Sequence, residues 1–327
     1  MQIINAATVA TRLQPEALVA ALARMFRDGC STPVRHHHTV PVPGAPDATL
    51  LLMPAWRAGA YLGIKIVTIF PGNSGRNLPA VSAAYLLMNA DTGTVQAMID
   101  GGELTARRTA ATSALAAQYL ARRDAKSLLI VGTGRVAGQL AQYHVALRPA
   151  LQSVRVWGRS QEHAASMADE LRGRGIDARV ALDLPAAAAE SDIISAATLA
   201  TEPLIQGSWI RPGTHVDLVG GYTPGMREAD DALIARARVF VDTRDGAMHE
   251  AGDIAAPIAS GVLPKDAVYD LHDLCRGIQP GRQREDEITV FKSVGAALED
   301  LAAAILILES GQPMPVQAPV TATALTR

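Results

Sequence analysis

Ser127-Leu-Leu-Ile-Val-Gly-Thr-Gly-Arg-Val-Ala-Gly-Gln-Leu140 decides the fold of this chain. Residues 128–131 are wholly apolar and read as a buried strand. The run breaks at Gly132, Gly134 and Ala137, and a helical pattern follows, with Val136, Leu140, Tyr143 and Leu147 at four- and three-residue steps. The G-x-G-x-x-A spacing between strand and helix is that of a dinucleotide-binding turn. Its first Gly allows the tight turn, the second leaves bare backbone for a pyrophosphate, and Ala137 brings the helix close to the strand. The free N–H groups at the helix start, on Thr133, Gly134, Arg135, Val136 and Ala137, then face the phosphates.

Working outward, strand-like segments (154–157, 178–182, 193–196, 215–219 and 239–241) alternate with helical ones (160–174 and 226–237). Such alternation predicts an α/β Rossmann-type, doubly wound parallel sheet. Upstream the texture differs. Residues 11–29 read as one amphipathic helix, and five short β-type runs follow at 34–43, 49–54, 61–70, 80–89 and 95–99. Turn residues separate them, which predicts an antiparallel meander. A mixed α+β substrate and dimerisation domain is therefore expected at 1–122, joined by about 295–327, with the dinucleotide-binding domain at 123–294. Residues 289–308 read as one long helix that packs back on the first domain, followed by a loose tail. A sheet with one uncovered face makes a homodimer the natural partner.

The linking segment 101–123 is an Ala-rich helix. At about 100° per residue, Thr105, Arg108, Thr109 and Thr112 share one face and Arg107 points away. That polar face reads as the wall of a cleft, with Thr109 as a cofactor contact.

The chain has 327 residues, 49% hydrophobic and 19% charged, with a net charge of −2. The balance of 30 basic and 32 acidic residues, without a long basic run, gives no reason to expect nucleic acid or an anionic membrane as partner. No apolar stretch has the character of a membrane span, and the N-terminus lacks a signal-peptide pattern. Cys30 and Cys275 fit no disulfide or metal framework, so a cytoplasmic protein is expected. His36-His37-His38 resembles a metal tract, but consecutive strand residues point to alternate faces, and no metal is expected.

Roughly twenty-five residues past Gly132, where a carboxylate would hold the ribose hydroxyls of NAD, the chain reads Val156-Trp-Gly-Arg159-Ser160. Arg159 offers a permanent charge and a planar fork suited to a 2′-phosphate, and Ser160 adds a hydroxyl while capping the next helix. NADP(H) is the expected cofactor, with NAD(H) possible.

Six motifs in order carry a resemblance. They are Lys65-Ile-Val-Thr-Ile-Phe-Pro71-Gly-Asn73, Asp91-Thr-Gly93, Leu104-Thr-Ala-Arg-Arg108-Thr, the Gly132 turn, 224–228, and Phe291-Lys-Ser293-Val-Gly-Ala-Ala-Leu-Glu-Asp300. Over nearly its whole length the chain resembles the ornithine cyclodeaminase/mu-crystallin family. The resemblance implies a dimer with a cleft between domains where a nicotinamide meets a small amino or imino acid. It places Arg35, Lys65 and Arg108 on the substrate carboxylate, an anion that three converging cations require. It also sets Val294 beside the substrate, Ser293 and Thr198 beside the cofactor, and Tyr222 near the reacting nitrogen. Taken alone, Ser293 reads as a helix N-cap, and Asp217 as a structural carboxylate.

Family cyclodeaminases carry an Asp where this chain has Tyr222, in Gly220-Gly-Tyr-Thr-Pro-Gly225. A phenol, ordinarily titrating near 10, is a poor base at neutral pH, although it donates hydrogen bonds. Lys65, Arg108 and Tyr222 are the expected catalytic residues of an NADP(H)-dependent reductase. Its substrate would be a cyclic ketimine such as 1-pyrroline-2-carboxylate or 1-piperideine-2-carboxylate. The alternatives are an ornithine cyclodeaminase, an alanine-dehydrogenase-like enzyme, and a nucleotide-dependent binding protein.

Overall fold

The structure, a computed structural model, describes residues 1–76 and 78–311. The chain begins with β1 (Gln2–Ile4), α1 (Ala6–Arg12), α2 (Pro15–Asp28), β2 (His36–Val40), β3 (Ala48–Arg57), β4 (Tyr61–Ile69), β5 (Val81–Asn89), β6 (Val95–Asp100) and α3 (Gly101–Leu120). These strands form a six-stranded sheet in the order β1-β6-β5-β4-β3-β2. It is an antiparallel meander except at one edge, where β1 pairs parallel with β6. The single helix expected at 11–29 is two helices. Pro15 has no N–H to donate and holds Gln14 extended (ψ 145°), so the chain breaks there and α2 starts with Pro at its first position.

The next segment is β7 (Ser127–Val131), α4 (Arg135–Leu147), β8 (Ser153–Trp157), α5 (Gln161–Gly173), β9 (Ala178–Val180), α6 (Leu184–Ala189), β10 (Ile193–Ala196), β11 (His215–Leu218), α7 (Asp231–Arg236) and β12 (Ala237–Val241). It continues through α8 (Arg244–Glu250), α9 (Gly252–Ala259), β13 (Val268–Asp270), α10 (Leu271–Arg276), β14 (Ile288–Lys292) and α11 (Ala297–Glu309). The eight strands β7 to β14 make one sheet, ordered β13-β12-β14-β11-β10-β7-β8-β9 and parallel at every pairing. The order reverses between β7 and β10, and a crevice opens there at the strands' carboxyl ends. A largely antiparallel first sheet and a parallel second one are as the sequence leads one to expect, but β1, β13 and β14 lie outside the expected strands.

Two further helical expectations fail. Residues 226–237 yield only the short α7, because Asp230 caps its start by accepting from Leu233 N, while Glu228 is buried in the preceding loop. Residues 289–308 are not one helix. Ile288–Lys292 is buried as strand β14 between β11 and β12, a turn at Gly295 (φ 80°) follows, and only then does α11 begin. β-branched and aromatic residues with partners on both sides favour the strand. The tail expected to be loose, 312–327, lies outside the described residues.

One face of the six-stranded sheet is covered by helices. Met53, Tyr85, Leu87, Ala97 and Ile99 from that face pack with Leu18, Leu22 and Phe26 of α2 and Leu301 and Ile305 of α11 in one core. Register puts Met53 and Tyr85 directly beside Lys65, so this lysine points inward among apolar neighbours. α3 runs between the two sheets, touching β5 and β6 on one side and β11 and β14 on the other.

Candidate active site

Cavities open beside the expected residues at two places, the dinucleotide turn and Arg35. The larger, about 820 Å³, is lined by Gly132, Thr133, Gly134, Trp157, Gly158, Arg159, Ser160 and Thr198, among others. The turn at its floor is built for close approach. Gly132 has φ 121°, and a Cβ there would stand 2.5 Å from the Ala197 carbonyl oxygen across the switch point. Gly134 opens on free space, and no side chain caps the start of α4, so its first N–H groups are available to an anion. Ala137 is fully buried, while Arg135 and Val136 occupy the first turn of α4, Arg135 exposed and Val136 half-buried. Arg159 stands exposed at the cavity rim and pairs with no carboxylate among the described residues. Ser160 caps α5 by accepting from His163 N at 3.2 Å and also lines the cavity, so its two readings coexist. These features fit a dinucleotide.

Thr198 is held by the last residue of the 224–228 motif, to which the sequence assigns no role. Glu228 is fully buried and accepts from Thr198 N at 2.7 Å, Thr198 Oγ1 at 2.8 Å and Gly220 N at 2.7 Å. It thereby ties the loop after β10 to the loop after β11. Lys292 Nζ lies 3.8 Å from Glu228 and 3.1 Å from Asp253, all three buried. Burial lifts the Glu228 carboxyl to about 7, against the pull of Lys292. An acid four residues past Pro224 in a polar loop gave no periodic signal.

The second site lies where β4, α3 and the turn into α11 converge. Lys65 and Arg108 are 2% and 4% exposed, figures that would be untenable for bare charges. Lys65 Nζ is 2.8 Å from Asp300 Oδ2. Arg108 donates Nε to Asp300 Oδ1 at 2.8 Å and Nη1 to Glu299 Oε2 at 2.6 Å. The cations are therefore balanced by α11 carboxylates, which corrects the expectation that only a ligand would complete them. Burial brings the Lys65 ammonium down to about 8, and neighbouring Arg108 adds to the shift. Asp300, between two cations, is held below the usual carboxylate range despite its burial.

Arg35 approaches from the segment just before β2, not from within a strand. It pairs with Glu250 at 3.3 Å and donates to the Gly295 carbonyl at 2.6 Å. A cavity of about 380 Å³ opens beside it, lined by Met53, Glu250, Ala296 and Ala297 among others. Gly295 has positive φ, and a Cβ on it would stand 2.6 Å from Arg108 Nη1, so glycine is what lets the guanidinium lie against the backbone. Asp242 fixes this turn, accepting from Val294 N at 2.8 Å, Gly295 N at 2.7 Å and Ser293 Oγ at 3.2 Å. Ser293 is thus no helix cap; Ala296 holds that position for α11.

The remaining expected residues fall in different places. Thr109 is buried on α3 and Val294 half-buried on the turn before α11. Tyr222 stands 41% exposed on the loop after β11, and among the described residues no hydrogen bond joins it to Lys65 or Arg108. Asp217 lies in the interior, accepting from Ser113 Oγ and Ser195 Oγ. Among the described residues no group of three or more His, Cys, Asp or Glu is placed to hold a metal, and no helix is long and apolar enough to cross a membrane.

A model of the ornithine cyclodeaminase/mu-crystallin family matches residues 3–313. Over 282 residues the chain is 44% identical to the Δ1-pyrroline-2-carboxylate reductase of Paracoccus denitrificans, covering 84% of this chain and 89% of that one. It is 36% identical to the ketimine reductase mu-crystallin of Rattus norvegicus over 298 residues, 90% of each chain. In structure it is similar to the Δ1-pyrroline-2-carboxylate reductase of Thermococcus litoralis, solved with NADH and L-proline. The TM-score is 0.87 at 30% identity, covering 94% of this chain and 97% of the other.

Proposed function

This chain belongs to the ornithine cyclodeaminase/mu-crystallin family, and from that premise we propose that it is a nicotinamide-dependent reductase of a cyclic ketimine acid. The substrate is 1-pyrroline-2-carboxylate or 1-piperideine-2-carboxylate, reduced to the L-amino acid. The observation that carries this reading is the buried Lys65–Asp300–Arg108–Glu299 cluster, with Arg35 beside it and no carboxylate at Tyr222.

Gly132, Thr133, Gly134 and the start of α4 hold the pyrophosphate, and Thr198, Thr109 and Ser293 flank the rest of the dinucleotide. When bound, the reduced nicotinamide supplies a hydride to the imine carbon. Arg35, Lys65 and Arg108 take the substrate carboxylate and orient the ring, with Val294 against its apolar side. Asp300 keeps Lys65 and Arg108 at fixed separation, so less orientation entropy is lost on binding. Lys65 is also an acid able to release its proton near neutral pH, and Tyr222, on the loop after β11, is a hydrogen-bond donor rather than a base. Loss of ammonia from ornithine asks for a carboxylate base, which Tyr222 does not supply.

NADPH is the preferred reductant because Arg159 faces the cavity without an acidic partner and no acid ends β8. The chain works as a homodimer. On the outer face of the six-stranded sheet, register aligns Pro54, Ile64, Leu86, Met98 and Ile3 in one apolar row across five strands. A second copy is the simplest cover for such a row. The reductase reading is tested by following NADPH oxidation with each imino acid, against ornithine as the alternative substrate. Ammonia and proline appearing from ornithine, without net nicotinamide turnover, would contradict it.

A further inference from the structure

We propose that Glu299 takes up a proton when a carboxylate ligand settles among Arg35, Lys65 and Arg108, so that substrate binding is coupled to neutralisation of this side chain. The inference depends on the carboxylate site read above. Three cations there already face three carboxylates, Glu250, Glu299 and Asp300. Asp242, buried beside Arg108, adds a fourth negative charge, so an arriving carboxylate is a further anion against buried charges, and one negative charge must be given up or displaced.

The three carboxylates differ. Glu250 is 26% exposed and can turn to solvent. Asp300 is shared by Lys65 and Arg108 and stays ionised. Glu299 is fully buried, and among the described residues its one ion pair is with Arg108 and its Oε1 accepts no hydrogen bond. From its surroundings Asp242 and Asp300 repel its charge, while Arg108 and, more weakly, Lys65 attract it. Burial has already lifted it to about 7. Once a ligand carboxylate draws on Arg108, Glu299 is the anion with the least support. A proton from solvent forms an O–H on it and cancels the surplus charge.

Two other groups compete for that proton. Lys65 sits near 8, and Glu228 near 7 in the separate cluster with Lys292 and Asp253. The experiment titrates pyrrole-2-carboxylate, a planar ring acid whose nitrogen does not take up a proton, into protein saturated with oxidised cofactor. Calorimetry in two buffers of different ionisation enthalpy counts the protons taken up. At about pH 7 the wild type is expected to take up about half a proton per ligand, whereas Lys65 alone would give about a tenth. Glu299→Gln should bind with uptake cut to no more than the tenth or so that Lys65 can supply, and Glu228→Gln should retain the wild-type value. Wild-type uptake near a tenth, or uptake unchanged in Glu299→Gln, would overturn the proposal. Failure of pyrrole-2-carboxylate to bind at all would overturn the site reading beneath it.

Discussion

Lys65 is an ammonium among apolar neighbours on the inner face of a sheet, and its position near 8 gives the activity an upper pH limit. On the proposed site, deprotonation removes one of the positive charges facing the substrate carboxylate, so kcat/KM is expected to fall as pH rises past about 8. Lys65→Arg, whose charge persists, should shift that limb upward in a pH–rate profile even if its absolute rate is lower. Arg159 makes a separable claim. Arg159→Ala should raise KM for NADPH by about 10- to 100-fold, the worth of one charged hydrogen-bond contact, and leave KM for NADH nearly unchanged. Gly132→Ala places a methyl group on the Ala197 carbonyl in a left-handed backbone. It should lower stability by about 1–3 kcal/mol in thermal unfolding and abolish nucleotide binding. Gly132 and Arg159 were legible because each stands at a spacing set by the dinucleotide turn, whereas the role of Lys65 came from the family resemblance. Glu299, Asp300 and Glu228 had no such signal of function. Acids in the first turn of a helix or in a loop ordinarily face solvent, and only the fold reveals that these three are buried against cations and backbone donors.

At the level of elements, the turn from β14 to α11 joins the two halves of the site. Asp242, at the end of β12, holds it through three bonds to Ser293, Val294 and Gly295. Asp242→Ala strands buried donors, so a loss of about 2–4 kcal/mol in denaturant unfolding is expected. KM for the imino acid should rise as well, because Arg35 bonds the Gly295 carbonyl and Arg108 lies against the same residue. Residues 289–308 carry apolar side chains often enough to satisfy a helical period, and that period misled. A strand buried on both faces is a short continuous apolar run, which periodicity alone does not separate from a helix. Gly295 was the punctuation that marked the boundary. The Gly132 strand–turn–helix was legible because there the glycines fall between the two patterns.

For the whole molecule, two sheets are bridged by α3, and α11 returns from the second to close the first. The apolar row on the open face of the first sheet predicts a dimer by light scattering. Ile64→Lys at its centre should give monomer, with the Rossmann half still binding nucleotide. The alternation of strands and helices made the second sheet's class and most of its strands readable in advance, though not β13 or β14. The parallel edge strand β1 was not, since three residues carry too little pattern. The most direct measurement remains the initial rate of NADPH oxidation with 1-pyrroline-2-carboxylate, repeated with 1-piperideine-2-carboxylate and with NADH. Rapid turnover of a cyclic imino acid, faster with NADPH than with NADH, is the expected result. No oxidation with either imino acid, by protein shown to bind the cofactor, would contradict the reductase assignment.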